Sequence, residues 1–75
     1  MITIIYFASA RDRAKTDKET IDYTGSLSGL KDIIYKRHDE LRDIELLFAV
    51  NKKYVNNCKI NDGDEIAVFP PVSGG

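Results

Sequence analysis

The residues with the clearest capacity for chemistry lie at the C-terminal end, Phe69-Pro70-Pro71-Val72-Ser73-Gly74-Gly75. Gly74 and Gly75 carry no side chain, so a terminal carboxylate on Gly75 can pass along a narrow channel and approach a reaction centre closely. Pro70 and Pro71 favour an extended exit. With Phe69 as the last sheet residue, the six residues beyond it span about 20 Å at full extension. A carboxylate on such an arm can be activated by ATP as an acyl-adenylate and then exchanged for sulfur. The nucleotide site would belong to a partner, since the chain has no glycine loop of the phosphate-binding type. A Gly-Gly end can also be a frayed, soluble terminus. The five residues before it and the strand pattern of the whole chain argue against that.

Other reactive side chains are sparse. Cys58 is the single cysteine and His38 the single histidine. One cysteine cannot staple the chain, and the pair is too few for a structural zinc site. Cys58 has no histidine or acid at a motif spacing and reads as incidental. Asp62, Asp64 and Glu65 are acidic enough for a metal, but their spacing matches no calcium loop. Asp62-Gly63 reads as a turn, with Asp64 and Glu65 left to face basic residues on a partner. His38 reads as a surface histidine late in a helix.

These residues sit in 75, enough for one domain, predicted over 1–75 with 70–75 as an extended tail. A chain this short buries about 60% of its extended surface, which disfavours a substrate pocket enclosed by its own core. Apolar residues are 43% and charged residues 31%, the balance of a folded domain. The net charge of −1 comes without a basic stripe, so nucleic acid and anionic membrane are not expected partners. The apolar runs are too short for a membrane span. Met1–Ile5 enters a strand pattern with no charged leader, which predicts no signal peptide and a cytoplasmic location.

Met1–Ala8 reads as a strand with apolar residues on both faces, hence central. Residues 11–18 read as a polar connection and Glu19–Tyr23 as a short second strand. Ser26 is the expected N-cap of a helix in which Leu27, Leu30, Ile33, Ile34 and Leu41 form one apolar stripe. Lys31, Asp32, Lys36 and Arg37 fill its other face, and Gly29 weakens its first turn. Leu46–Val50 reads as a third strand, Asn51–Lys53 as a tight turn, and Tyr54–Val55 as a short return strand. Residues 56–59 read as irregular, and Glu65–Phe69 as the last strand, ended by Pro70-Pro71. A mixed sheet covered on one face by one main helix, with first and last strands paired at its centre, is an α+β, ubiquitin-like β-grasp.

With that order in place, the sequence resembles the sulfur-carrier small subunits of molybdopterin synthase over nearly its whole length. The matching stretches are Phe7-Ala8 with Arg11, Ala49-Val50-Asn51, Asp62–Ala67 and above all Phe69–Gly75. Asp12 stands where that family more often has glutamate, and the link from Val55 to Ile60 is short. The resemblance implies that Gly75 is adenylated on a ubiquitin-activating-like enzyme using ATP and converted to a thiocarboxylate by a sulfur donor system. Gly74 keeps the tail narrow. The thiocarboxylate then gives its sulfur to cyclic pyranopterin monophosphate in the large synthase subunit. No cofactor or metal on this chain is implied. Phe7, Arg11, Tyr54, Phe69, Pro70, Pro71, Val72 and Ser73 match positions that meet the partner. A ubiquitin-type protein modifier and a thiamin-pathway sulfur carrier share the fold and the Gly-Gly end, and stand as alternatives.

Overall fold

In the computed structural model, which describes residues 1–71, a five-stranded mixed sheet runs in the order β2-β1-β7-β4-β5. Its strands are β1 (Ile2–Tyr6), β2 (Lys18–Ile21), β4 (Leu47–Val50), β5 (Lys53–Tyr54) and β7 (Glu65–Phe69). β3 (Gly25–Ser26) and β6 (Lys59–Ile60) pair as a separate two-stranded ribbon. The helices are α1 (Ala8–Ala14) and α2 (Leu27–Arg37), with a 3₁₀ turn at Asp39–Asp43. The topology is the ubiquitin-like β-grasp.

Strand alternation decides how the layers assemble. Ile2, Ile4 and Tyr6 of β1 and Ile66 and Val68 of β7 project to one face and are buried. Leu27, Leu30 and Ile34 of α2, Ala10 and Ala14 of α1 and Leu41 of the 3₁₀ turn close over that same face as one core. β1 lies parallel to β7, with Ile4 opposite Ile66 and Tyr6 opposite Val68. β4 is antiparallel to β7, and β2 is antiparallel to β1. The first and last strands therefore occupy the centre, as their apolar character requires.

Several elements differ from the sequence pattern. The polar connection expected at 11–18 is largely helix: α1 buries only Ala10 and Ala14, one turn apart, and two alanines leave no large apolar stripe to read. The main helix stops at Arg37, and Leu41 reaches the core from the 3₁₀ turn instead. β2 is Lys18–Ile21 rather than 19–23, because Tyr23 leaves the ladder and donates its hydroxyl to the Ser26 carbonyl at 2.7 Å. β4 begins at Leu47, and the return strand is Lys53–Tyr54. Asn51 (φ 50°) and Lys52 (φ 70°) turn the chain between them as a two-residue hairpin of the I′ kind. Within the stretch expected to be irregular, Lys59 starts β6.

α2 starts where Ser26 predicts, and the cap is denser than the sequence suggests. Ser26 Oγ accepts from Gly29 N–H at 3.0 Å, Asn57 Oδ1 accepts from Ser28 N–H at 3.3 Å, and the Cys58 carbonyl accepts from Leu27 N–H at 2.8 Å. The first three amides are thus satisfied, two of them by the segment that leads into β6. Gly29 has a packing reason: a Cβ there would lie 2.6 Å from the Tyr23 hydroxyl. Ser26→Ala and Asn57→Ala should each lower unfolding free energy by about 1 kcal/mol in urea melts. An Asn57→Ala chain as stable as its parent would remove this long-range cap.

Candidate functional site

Parallel pairing sends β1 and β7 out of the same end of the sheet. Phe7 N–H donates to the Val68 carbonyl at 3.0 Å, which holds Phe7 beside the departing Phe69-Pro70. Ala8 then takes a left-handed φ of 52°, costly for a residue with a Cβ, and the chain turns at once into α1. This joint keeps Phe7 out of the core: it is 47% exposed. One turn along α1, Arg11 is exposed at the flank.

The sheet face opposite the helices carries Ile5, Ala67, Ala49 and Leu47, which the register sets in neighbouring rows with Phe69 and Tyr54. Phe69 is half-buried, and its ring meets Tyr54 edge to face at 5.6 Å and 71°. Tyr54 is 71% exposed. Phe7, Phe69 and Tyr54 therefore border one apolar face. Pro70 is half-buried and Pro71 exposed. Val72, Ser73, Gly74 and Gly75 lie outside the described residues.

The acidic residues before β7 serve the turn. Asp64 accepts from Asn61 N–H at 2.8 Å and from the Asn51 side chain at 3.0 Å, and these bonds hold its carboxyl below the usual range. Asp62 pairs with the N-terminal ammonium, and Gly63 takes a φ of 87°. Glu65 N–H donates to Asn51 Oδ1 at 3.0 Å, tying the hairpin turn to the start of β7. Cys58 is half-buried, with its main chain spent on the α2 cap.

His38, expected as a satisfied surface histidine, is satisfied but largely buried. As the C-cap of α2 it is 17% exposed, stacks edge-on against Tyr6 at 5.4 Å, and places Nε2 2.6 Å from Glu19 Oε2. Tyr6 OH donates to that carboxylate at 3.0 Å and Arg37 at 2.9 Å. Burial pushes the Glu19 carboxyl up, but the hydrogen bonds from His38 and Tyr6 and the charges of His38 and Arg37 outweigh it and the net shift is downward. The same burial, together with the Glu19 charge, pushes the Tyr6 phenol up. The one signal in the sequence was Glu19 itself, two residues before buried Ile21 and hence on the inner face of its strand.

A depressed carboxylate stabilises the fold above its unfolded value, about 4.3, and that contribution is lost as pH falls through the folded value. Glu19→Gln should therefore lower stability at pH 7 and flatten the acid limb of the stability curve. Urea melts from pH 7 to pH 2 measure both. A variant that keeps the parent's acid dependence would assign that limb to other carboxylates.

Residues 4–75 match the family model described as the ThiS family. The chain is 35% identical to the molybdopterin synthase sulfur carrier subunit of Escherichia coli K12, covering all of both chains. A Pyrococcus furiosus structure assigned as molybdopterin converting factor, subunit 1, superposes with a TM-score of 0.81 at 30% identity, covering 95% of this chain and 97% of that one. A chain of the protein–protein complex of subunits 1 and 2 of the molybdopterin-converting factor from Helicobacter pylori superposes with a TM-score of 0.73 at 24% identity, over 99% of this chain and 97% of that one, a likeness of fold.

Proposed function

Since the chain belongs to the ThiS family over residues 4–75, we propose that it is the sulfur-carrier subunit of a molybdopterin synthase, working through a thiocarboxylate on Gly75. The observation that carries this reading is 35% identity to a sulfur carrier subunit along the full length of both chains, through the Gly-Gly end. The chain acts as part of a sulfurtransferase complex rather than as an enzyme alone. A cytoplasmic location accompanies the reading, and no helix among the described residues is long and apolar enough to cross a membrane.

The division of labour follows from the side chains. On the activating enzyme, the Gly75 carboxylate displaces pyrophosphate from ATP to give an acyl-adenylate, and a sulfur donor then displaces AMP. The thiocarboxylate sulfur is a stronger nucleophile than the oxygen it replaces. In the large subunit its sulfur bonds to cyclic pyranopterin monophosphate, water then cleaves the Gly75 acyl–sulfur bond and returns the carboxylate, and two such deliveries build the dithiolene. Gly74 lets the arm through. General acid and base belong to the partner, because Pro70–Gly75 offers no group of suitable pKa. Phe7, Phe69 and Tyr54 form the docking face, where exposed aromatics act as anchors. Arg11 pairs with a carboxylate at the rim, and Pro70, Pro71, Val72 and Ser73 line the entry of the arm.

Intact mass spectrometry of the thiocarboxylated chain, mixed with the large subunit and cyclic pyranopterin monophosphate, should show sulfur replaced by oxygen as molybdopterin forms. Sulfur that stays in place with a competent partner sinks the assignment and moves a protein-modifier or thiamin-pathway role forward. Deleting Gly75 should abolish product while leaving the melting curve unchanged. Tyr54→Ala should weaken the complex about tenfold, or about 1.4 kcal/mol, with the fold intact. Unchanged affinity would take Tyr54 out of the docking face.

A further inference from the structure

The two edges of the sheet are finished differently. β2 carries Lys18 and turns Glu19 inward beneath the helices, and an inward-pointing charge keeps an edge from pairing with another chain. At the opposite edge β5 has two residues and covers only Ala49 and Val50. The chain leaves the sheet at Val55, so among the described residues the first half of β4 has no strand on the side away from β7. Asn51 N–H donates to the Glu65 carbonyl at 2.8 Å, across the β4–β7 ladder. By alternation Leu47 and Ala49 also turn toward β7, and the N–H of Phe48 points the other way. Among the described residues that N–H meets no main-chain acceptor.

A groove of about 420 Å³ lies along this gap, walled by Leu46, Leu47, Phe48, Tyr54 and Val55, with Lys31 reaching in from α2. The Lys31 ammonium sits 4.9 Å from the centre of the Phe48 ring. An open donor, an apolar wall and one fixed cation are what an added strand needs: main-chain bonds supply affinity, and alternate side chains find pockets.

We propose that this groove receives an extended peptide segment of the protein that covers the open sheet face. The segment adds as a strand beside Leu46–Phe48 and sets an acidic side chain against Lys31. This rests on the docking role proposed for that face. Two observations favour this occupant. Tyr54 belongs both to the face and to the groove wall, so a partner seated on the face reaches the edge without a gap. The Lys31 ammonium held at the groove complements an acidic side chain on that segment.

The test is residue-resolved amide hydrogen exchange by NMR on the chain alone, on a chain lacking residues 72–75, and on the complex with the large synthase subunit. In the complex the Phe48 amide should exchange at least tenfold more slowly than in the free chain. Lys31→Glu should weaken the complex at least tenfold and Lys31→Gln less, each with a parental exchange map when free. A complex that forms with Phe48 exchange unchanged overturns the groove and leaves the docking face standing. Protection already present in the free chain, and released by removing 72–75, gives the groove to the chain's own tail and overturns the proposal. Protection that grows with the concentration of free chain gives it to a second copy and overturns the proposal equally. If no complex forms, the docking role fails, and this proposal fails with it.

Discussion

The parallel pairing of β1 with β7 is the interaction on which everything else in this molecule depends. It joins the first strand of the chain to the last, so the centre of the sheet cannot form until nearly all of the sequence is present. Contacts of such long sequence separation are slow to close and pay their loop entropy before they are rewarded. The junction is accordingly fastened at both ends. Thr3 N–H donates to the Asp64 carbonyl, Gly63 N–H donates to the Met1 carbonyl, and Asp62 pairs with the N-terminal ammonium where the strands begin. Phe7 N–H donates to Val68 where they end. β2 and β4 flank that pair on either side.

That pairing also decides what is left exposed. Ile2, Ile4, Tyr6, Ile66 and Val68 use one face completely, and each such side chain contributes roughly 1.5–3 kcal/mol on burial. Both helices and the 3₁₀ turn are drawn to that side. The other face keeps Ile5, Ala67, Leu47 and Ala49 under no helix at all. A chain of 75 residues has little stability to spare. The short caps and the Tyr6–Glu19–His38–Arg37 cluster therefore matter out of proportion to their size, since they tie an edge strand and a helix end to the central pair.

The parts of the fold written in large apolar residues were legible in the sequence. β7 has the bounds its alternation predicts, Ser26 caps α2, and the outermost strands meet at the centre. What escaped was built from small or polar residues. α1 packs through two alanines, β6 is two residues long, and Asn57 caps a helix 29 positions away in sequence. The burial of His38 escaped because its partner, Glu19, lies on a strand whose inner face could not be placed against the end of α2 before the topology was known. At the candidate site, Phe7 and Phe69 could equally have been core residues. The left-handed turn at Ala8 and the position of Phe69 on the helix-free face resolve that, and neither shows in composition or period.

A carrier this small has to encode specificity in the geometry of its surface. Here a single register sets that geometry. Phe69 pairs with Leu47 and Ala67 with Ala49, so Phe69, Tyr54 and the start of the Pro70-Pro71 exit share one face. A slip of one residue between β4 and β7 would mismatch the faces of the two strands, setting Leu47 and Ala49 against the core. It would also move Phe69 and Pro70 by about 3.4 Å relative to Tyr54. The hairpin at Asn51-Lys52 and the bonds from Asn51 to Asp64 and Glu65 guard against that slip, because they pin the far ends of both strands. The root of the arm at Phe69-Pro70 is thus placed by a ladder fixed at the opposite end of the sheet.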